Sequence, residues 1–202
     1  DLSHDQVSRM LNSQQLESKD WWRMIKPHVR RIQAADGVLT IDDSIVEKEY
    51  TDENEIICWH YDHALERTVK GINFITALYT VDEVSLPVAF RLVAKTEHYA
   101  NKEGKAKRRS PVTKNDHYRA MLQQCLHNQI PFEYVLNDLW FASAENMRFV
   151  KLDLGKEFIM ALKANRKVAR SVEDKQNGRY QRLDQLNSPE DTLTTIYLEQ
   201  VP

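Results

Sequence analysis

The sequence predicts an α/β protein in which helices flank a mixed β-sheet. Apolar residues recur at helical spacing up to residue 35, whereas short β-branched runs alternate with helical segments from residue 38 onward. Two of these runs, LTIDD (39–43) and YVLND (134–138), share one form, because each is a short apolar strand that ends at an aspartate. Strands and helices that alternate along the chain are typical of a layered α/β architecture.

The first segment, residues 1–35, is predicted to be helical. Ser18 precedes the second half of this segment and is its expected N-cap. Pro27 lies inside that second half, so we expect a kink or a break there. The dipeptide Asp36-Gly37 predicts a turn. The apolar residues at helical spacing are Val7, Met10, Leu11, Trp21, Trp22, Ile25, Val29 and Ile32.

The remainder of the chain predicts mainly strands, with two more helices. GINFITALYT (71–80) and SLPVAFRLVA (85–94) are apolar runs joined by a short turn, which is the pattern of a β-hairpin. The other predicted elements, in order, are a strand VLTID (38–42), a polar basic loop (95–111), a helix (113–128), a strand FEYVLND (132–138), a helix (143–152), a strand EFIMALKAN (157–165) and terminal β-hairpin material containing NGRYQRLDQL and TLTTIYLEQV.

Composition restricts the classes of function. The net charge of -2 predicts neither a nucleic-acid partner nor a membrane partner, so any DNA contact must come from local basic patches. No apolar run reaches the roughly 18 residues that a membrane helix needs. Two cysteines make no disulfide framework, which favours free thiols in a reducing cytoplasm. The first residue is not Met and the last residues lie in an apolar run, so we expect both ends to lie within a longer protein.

Asp43 and Asp138 are the candidate metal ligands. Ligand sites in α/β sheets gather at the carboxyl ends of strands, so these two aspartates converge if their strands are neighbours. Oxygen-only ligation favours Mg²⁺ or Mn²⁺, and such ions assist phosphodiester chemistry. The alternative is that each aspartate caps the turn or helix that follows it. Strand alternation places Asp42 on the other face from Asp43, as a polar neighbour.

Several other residues are candidates for binding. Lys114 opens a predicted helix, whose amides could hold a phosphate. Cys58, His60 and His63 are possible zinc ligands, but their spacing is not a common zinc arrangement, and a structural role is the alternative. Trp140 is expected to pack under the site. The basic run Lys102, Lys105, Lys107, Arg108 and Arg109 could follow phosphates or form a solvated loop.

Four stretches of the chain resemble the DDE transposases of bacterial insertion sequences, in particular the large insertion-sequence-four group. They are DGVLTIDDSIVEKEYTDENEIICWHYDHALERTVKGINFITALY, TKNDHYRAML, FEYVLNDLWFASAENM and FIMALKANR. The resemblance implies an RNase H-like catalytic core over residues 36–168, after a helical segment (1–35) and before the start of a β-rich insertion (169–202). It also implies that Asp43 and Asp138 are catalytic, and that Lys163 and Arg166, from the ALKANR stretch, contact DNA phosphates. The alternative for Lys163 and Arg166 is an ion pair with acids along the sheet edge.

One departure from the family's pattern concerns the third catalytic acid. The family carries a glutamate with Tyr, Arg and Lys at fixed spacing on a later helix, and no such stretch occurs here, so we expect it beyond residue 202. The resemblance implies metal-dependent cutting and strand transfer of double-stranded transposon ends by a homodimer. An RNase H-like nuclease and a catalytically incomplete DNA-binding or regulatory protein are the alternatives.

Overall fold

The computed structural model describes residues 3, 5, 6, 9, 13, 17–63, 65–187 and 193–201. The helical positions predicted at Val7, Met10 and Leu11 lie outside the described residues. Helix α1 spans Ser18–Ile32. In the part of the chain that the structure describes, no helix has the length and apolar character needed to cross a membrane.

Helix α1 differs from the prediction at its start and its middle. Its N-cap is Glu17, which forms a capping box with Asp20, so the assignment of Ser18 as N-cap is wrong by one residue. The helix continues through Pro27 without a break. Because Pro27 is exposed, water can satisfy the carbonyl that a proline leaves without its helical donor. The opposite face buries Val29 completely.

The main sheet has six strands and mixed direction. They are β1 (Val38–Glu47), β2 (Ile57–Asp62), β3 (Arg67–Val81), β4 (Val84–Leu92), β7 (Tyr134–Asn137) and β8 (Glu157–Met160). β3 pairs antiparallel with β1 on one edge, and with β2 and then β4 on the other. β1, β7 and β8 are parallel. A mixed sheet of this kind, flanked by helices, is consistent with the RNase H-like fold.

The hairpin predicted from the two long apolar runs is confirmed as β3 and β4, but β1 is longer than predicted. β1 continues past both aspartates to Glu47, because Asp42 and Asp43 pair with Thr76 and Ile75 of β3. Cross-strand hydrogen bonding therefore overrides the poor strand propensity of aspartate.

The segment 95–111 is not the predicted loop. It contains a two-stranded hairpin of β5 (Glu97–Ala100) and β6 (Ala106–Arg109). Arg109 Nε lies 2.7 Å from Glu97 Oε2 across the two strands, an opposite-charge pair that favours this register.

The predicted helix at 113–128 is confirmed as α2 (Lys114–His127). Thr113 caps it by accepting a hydrogen bond from the Asp116 amide, and Asp116 reciprocates in a capping box. Its apolar face is buried against the sheet as the spacing predicted, at Tyr118, Met121, Leu122 and Cys125.

The helix predicted at 143–152 is α3 (Ala144–Arg148), which continues as a π-helical turn (Phe149–Asp153). A small second sheet has the order β10–β9–β11, with β9 (Lys167–Ala169), β10 (Gln181–Arg182) and β11 (Tyr197–Leu198). The predicted terminal hairpin is wrong, because β10 and β11 pair with β9 from either side. The remaining elements are α4 (Val172–Gln176) and a 3₁₀ turn (Leu183–Gln185). The domain boundary expected after residue 168 falls inside β9.

Candidate active site

A cleft of about 800 Å³, which we call the acidic cleft, lies where the parallel pairing of β1 with β7 ends. Four of its lining residues are aspartates, and Lys114 is the lysine among them. Because β1 and β7 are adjacent and parallel, the residues that follow their last pair, Ile41 with Asn137, come to one place although they are far apart in sequence. The residues that line the cleft are Asp42, Asp43, Ser44, Ile45, Tyr61, Asp62, His63, Lys114, Asn115, Asp138, Trp140 and Phe141.

Two hydrogen-bond donors hold one carboxylate oxygen of Asp43. Its Oδ2 accepts a hydrogen bond of 3.0 Å from Nδ2 of Asn73 and one of 2.5 Å from Nζ of Lys114. The side chain of Asp43 is 18% exposed. Asn73 is fully buried, and its Oδ1 has no hydrogen-bond partner among the described residues. The amide of Asn73 therefore orients Asp43, and sequence reasoning missed it because the contact depends on the β1–β3 register.

Asp138 lies one residue beyond β7 and is exposed. Its Oδ1 accepts a 2.9 Å hydrogen bond from the amide of Trp140, so it does cap the following turn, as the alternative interpretation expected. Its Oδ2 makes no hydrogen bond with the residues that the structure describes. Tyr118 and Asn137 fix this strand end, since the Tyr118 hydroxyl donates to Asn137 Oδ1 and Asn137 Nδ2 donates to the Asp138 carbonyl.

Asp42 lines the same cleft. The parallel register pairs Ile41 with Asn137, so the next residues along the two strands, Asp42 and Asp138, are level with each other. Burial raises the pKa of the Asp42 carboxyl, and the nearby charges of Asp138 and Asp43 raise it further. The sequence predicted Asp42 only as a polar neighbour on the opposite face. Beyond the last β1–β7 pair both aspartates border one opening, which strand alternation alone does not reveal.

A network of amides connects the loop after Asp138 to helix α2. Asn146 is fully buried; its Nδ2 donates to Asn115 Oδ1 and to the Phe141 carbonyl, each at 2.9 Å. Arg119 donates to Asn146 Oδ1 at 2.9 Å. The network fixes the position of Asn115, which lines the acidic cleft, relative to the loop. Nothing in the sequence pattern indicated it.

The predicted basic residues lie in three places. Lys114 is in the acidic cleft, paired with Asp43. Lys107, Arg108 and Arg109 are on β6, away from that cleft; Arg108 and Arg109 pair with Glu53 and Glu97. Lys107 makes no ion pair with any residue that the structure describes.

Lys163 and Arg166 line a neighbouring cleft of about 440 Å³, which shares Trp140 with the acidic cleft. Arg166 donates to the Ala142 carbonyl at 3.0 Å, so it also fixes the loop after β7. Trp140 does not pack under the site as predicted, since it is 50% exposed. Its ring contacts His63, with ring centroids 4.1 Å apart, and the Lys163 ammonium lies 5.4 Å from the ring centroid.

Cys58 and His60 contact each other, but His63 lies apart from them in the acidic cleft. Cys58 Sγ is 3.3 Å from His60 Nε2, and both residues are buried. Burial, with the nearby charges of Lys95 and Lys114, lowers the pKa of His60 to about 4. Among the described residues there is no group of three His, Cys, Asp or Glu side chains that could hold a metal ion.

The acidic cleft fits a divalent metal in the kind of its donors. Aspartate oxygens are the ligands that Mg²⁺ and Mn²⁺ prefer, and sites for Mg²⁺ commonly use one or two carboxylates completed by waters and substrate phosphates. Asp43 Oδ1 and Asp138 Oδ2 make no hydrogen bond with described residues and are available for such a role.

The comparisons with known proteins agree with this geometry at the level of the family. The profile of the family described as DDE superfamily endonuclease matches residues 1–200. No curated protein and no solved structure matches the chain. Because the match extends over nearly all of the sequence, the chain belongs to the DDE superfamily endonucleases.

Proposed function

We propose that the chain is the catalytic part of a DNA transposase of the insertion-sequence-four type, which cuts and rejoins the ends of its element. The observation that carries this proposal is that Asp43 and Asp138 line one cleft where the parallel pairing of β1 with β7 ends, in a chain of the DDE superfamily. The RNase H-like sheet and the resemblance of four sequence stretches to this group support it.

Asp43 and Asp138 are the proposed ligands of Mg²⁺ or Mn²⁺, and Asp42 is the carboxylate level with Asp138. A bound metal would activate the attacking oxygen and stabilise the leaving oxygen of a phosphodiester. Asn73 holds Asp43 in one orientation, and Lys114 neutralises it when no other cation is present. No glutamate of the described residues lines the cleft, so we propose that the carboxylate set is completed by a ligand outside them.

Double-stranded DNA is the proposed substrate, and its phosphates are the proposed ligands of the basic residues around the cleft. Lys163 extends over Trp140, at the border between the acidic cleft and its neighbour. Lys114 lines the acidic cleft and pairs with Asp43. Because a transposable element has two ends, we propose a homodimer with one active site for each end, in the bacterial cytoplasm. The two free cysteines, both buried, fit that reducing compartment.

The test is a DNA cleavage and strand-transfer assay with Mg²⁺ or Mn²⁺. We expect Asp43→Asn and Asp138→Asn each to abolish nicking, whereas Asp82→Asn, in the exposed β3–β4 turn, leaves it unchanged. Asp82 is a matched control because its positive φ of 50° also suits asparagine. Strand-transfer products would separate a transposase from a nuclease that only cuts. Nicking that survives both active-site substitutions would refute the catalytic role.

A second candidate function is a DNA-binding or regulatory protein without catalysis. The observation that favours it is the incomplete set of carboxylates, together with the ion pair that neutralises Asp43. Binding of Mn²⁺ to the wild-type protein that Asp43→Asn does not weaken, together with DNA binding but no nicking, would establish this alternative.

A further inference from the structure

A second cleft, of about 840 Å³, lies beside the acidic cleft along β2. We call it the aromatic cleft, because three of its lining residues are exposed aromatics. Trp59 and Tyr61 are each 53% exposed, and Tyr99 is 41% exposed. Its walls are β2 and the β5–β6 hairpin. The residues that line it are Glu53, Cys58, Trp59, His60, Tyr61, Thr68, Lys95, His98, Tyr99, Ala106, Lys107 and Arg108.

Cations accompany the aromatic rings. Lys95, Lys107 and Arg108 line the cleft, and Glu53 is the acidic residue among the lining residues. Arg108 is paired with Glu53 at 3.5 Å, and Lys95 donates to the Trp59 carbonyl. The lining is therefore cationic, in contrast to the four aspartates of the acidic cleft.

The two clefts meet at one side chain. Tyr61 lines both of them. Trp59 and Tyr61 are two residues apart on β2, so they lie on the same face of the strand and form a row along it.

We propose that the aromatic cleft binds an unpaired segment of the DNA strand whose phosphate is cut in the acidic cleft. This inference rests on the proposed function. Exposed aromatic faces combined with cations are the means by which proteins hold single-stranded nucleic acid, since bases stack on the rings and phosphates meet the cations. Paired bases in a duplex are already stacked on each other, so a duplex alone would use the cations and leave the rings without a partner.

The test measures fluorescence anisotropy of labelled DNA in EDTA, so that binding is separated from cleavage. The probes are a blunt duplex, the same duplex with an oligothymidine extension, and that duplex with an abasic extension of equal length. We expect the wild-type protein to bind the thymidine extension most tightly. Trp59→Ala should weaken that binding at least about five-fold and leave the blunt duplex unchanged.

Two further variants make the result specific to the rings. Trp59→Phe keeps an aromatic face and should retain most of the preference for the extension. Tyr50→Ala removes an aromatic ring that is 97% exposed and does not line the cleft, so it should change nothing. Circular dichroism of each variant checks that the β2 edge still folds; if Trp59→Ala unfolds, Tyr99→Ala on the opposite wall takes its place.

The outcomes separate this inference from the proposed function. Equal binding of all three probes, unaffected by Trp59→Ala, overturns the inference while DNA binding itself still stands. A change in oligomeric state of Trp59→Ala in sedimentation, with unchanged DNA binding, identifies the cleft as a protein interface and also overturns it. If the wild-type protein binds none of the probes in EDTA, the inference fails, whereas the proposed function is refuted only by the absence of nicking in the assay with Mg²⁺ or Mn²⁺.

Discussion

His60 should make the folded protein sensitive to mild acid. It lies on β2, is 7% exposed, and its Nε2 is 3.3 Å from Cys58 Sγ. Burial lowers its pKa from 6.5 to about 4, with Lys95 and Lys114 adding to the shift and Asp43 opposing it. The ring is therefore neutral at physiological pH, and charging it inside the fold is unfavourable.

The sign follows from which state binds more protons. Between pH 6.5 and about 4 the unfolded chain holds a proton on this histidine and the folded protein does not, so acidification stabilises the unfolded state. The contribution is fully present above pH 6.5 and is lost as the pH falls to about 4. At 1.36 kcal/mol for each pKa unit, the total loss is at most about 3 kcal/mol.

The assay is urea unfolding of the wild-type protein and of His60→Gln across this pH range. The difference in unfolding free energy between the two proteins isolates His60 from the other titrating groups. We expect this difference to shrink by up to about 3 kcal/mol as the pH falls, with unchanged m-values. Parallel pH profiles for the two proteins would refute the assignment of a buried, neutral His60.

Three other outcomes are expected. Lys114→Gln removes the ammonium that is hydrogen-bonded to Asp43 Oδ2, so Mn²⁺ should bind up to about five-fold more tightly in a calorimetric titration. Weaker Mn²⁺ binding would contradict the role of Lys114 as a competitor of the metal. Gly37→Ala places a methyl group against the buried Tyr79 ring, closer than van der Waals contact. It should lower the free energy of unfolding, measured in urea, by about 1–3 kcal/mol. Stability equal to that of the wild-type protein would mean that the ring can move. Replacing Lys107, Arg108 and Arg109 by glutamine should weaken the salt dependence of duplex DNA binding. The slope of log affinity against log salt concentration should become shallower by about 0.9 for each phosphate that these side chains neutralise, whereas the control Lys48→Gln should not change it. An unchanged slope in the triple variant would show that these residues do not contact DNA.

The sequence was sufficient to predict the elements in which apolar residues recur regularly over many positions. The β3–β4 hairpin and helix α2 were predicted from periodicity, because their buried faces repeat over many residues. The β5–β6 hairpin was missed, because its strands have four residues each and are almost wholly exposed, so no apolar pattern marks them. Its pairing depends on contacts such as Arg109 with Glu97, twelve residues apart.

The candidate active site was also predicted from the sequence only in part. Asp43 and Asp138 were predicted to converge because each follows an apolar strand, and they do line one cleft. The residues around them were not predictable in this way. Asn73 reaches Asp43 only through the antiparallel register of β1 and β3, and Asn146 reaches Asn115 from a different helix. Buried amides of this kind carry no periodic pattern, since their role is defined by the partner that the fold provides.

The distribution of charge between the two clefts explains how they would share their work on DNA. Four aspartates and one lysine line the acidic cleft, so a divalent cation bound there would offset the charge that a phosphodiester meets on approach. The aromatic cleft is cationic and needs no metal to attract the strand. Tyr61, shared by both, marks the point at which a strand held by its bases would enter the carboxylate site. DNA affinity would then reside in the aromatic cleft, which binds without the metal, and phosphodiester chemistry would reside in the acidic cleft, which depends on the metal.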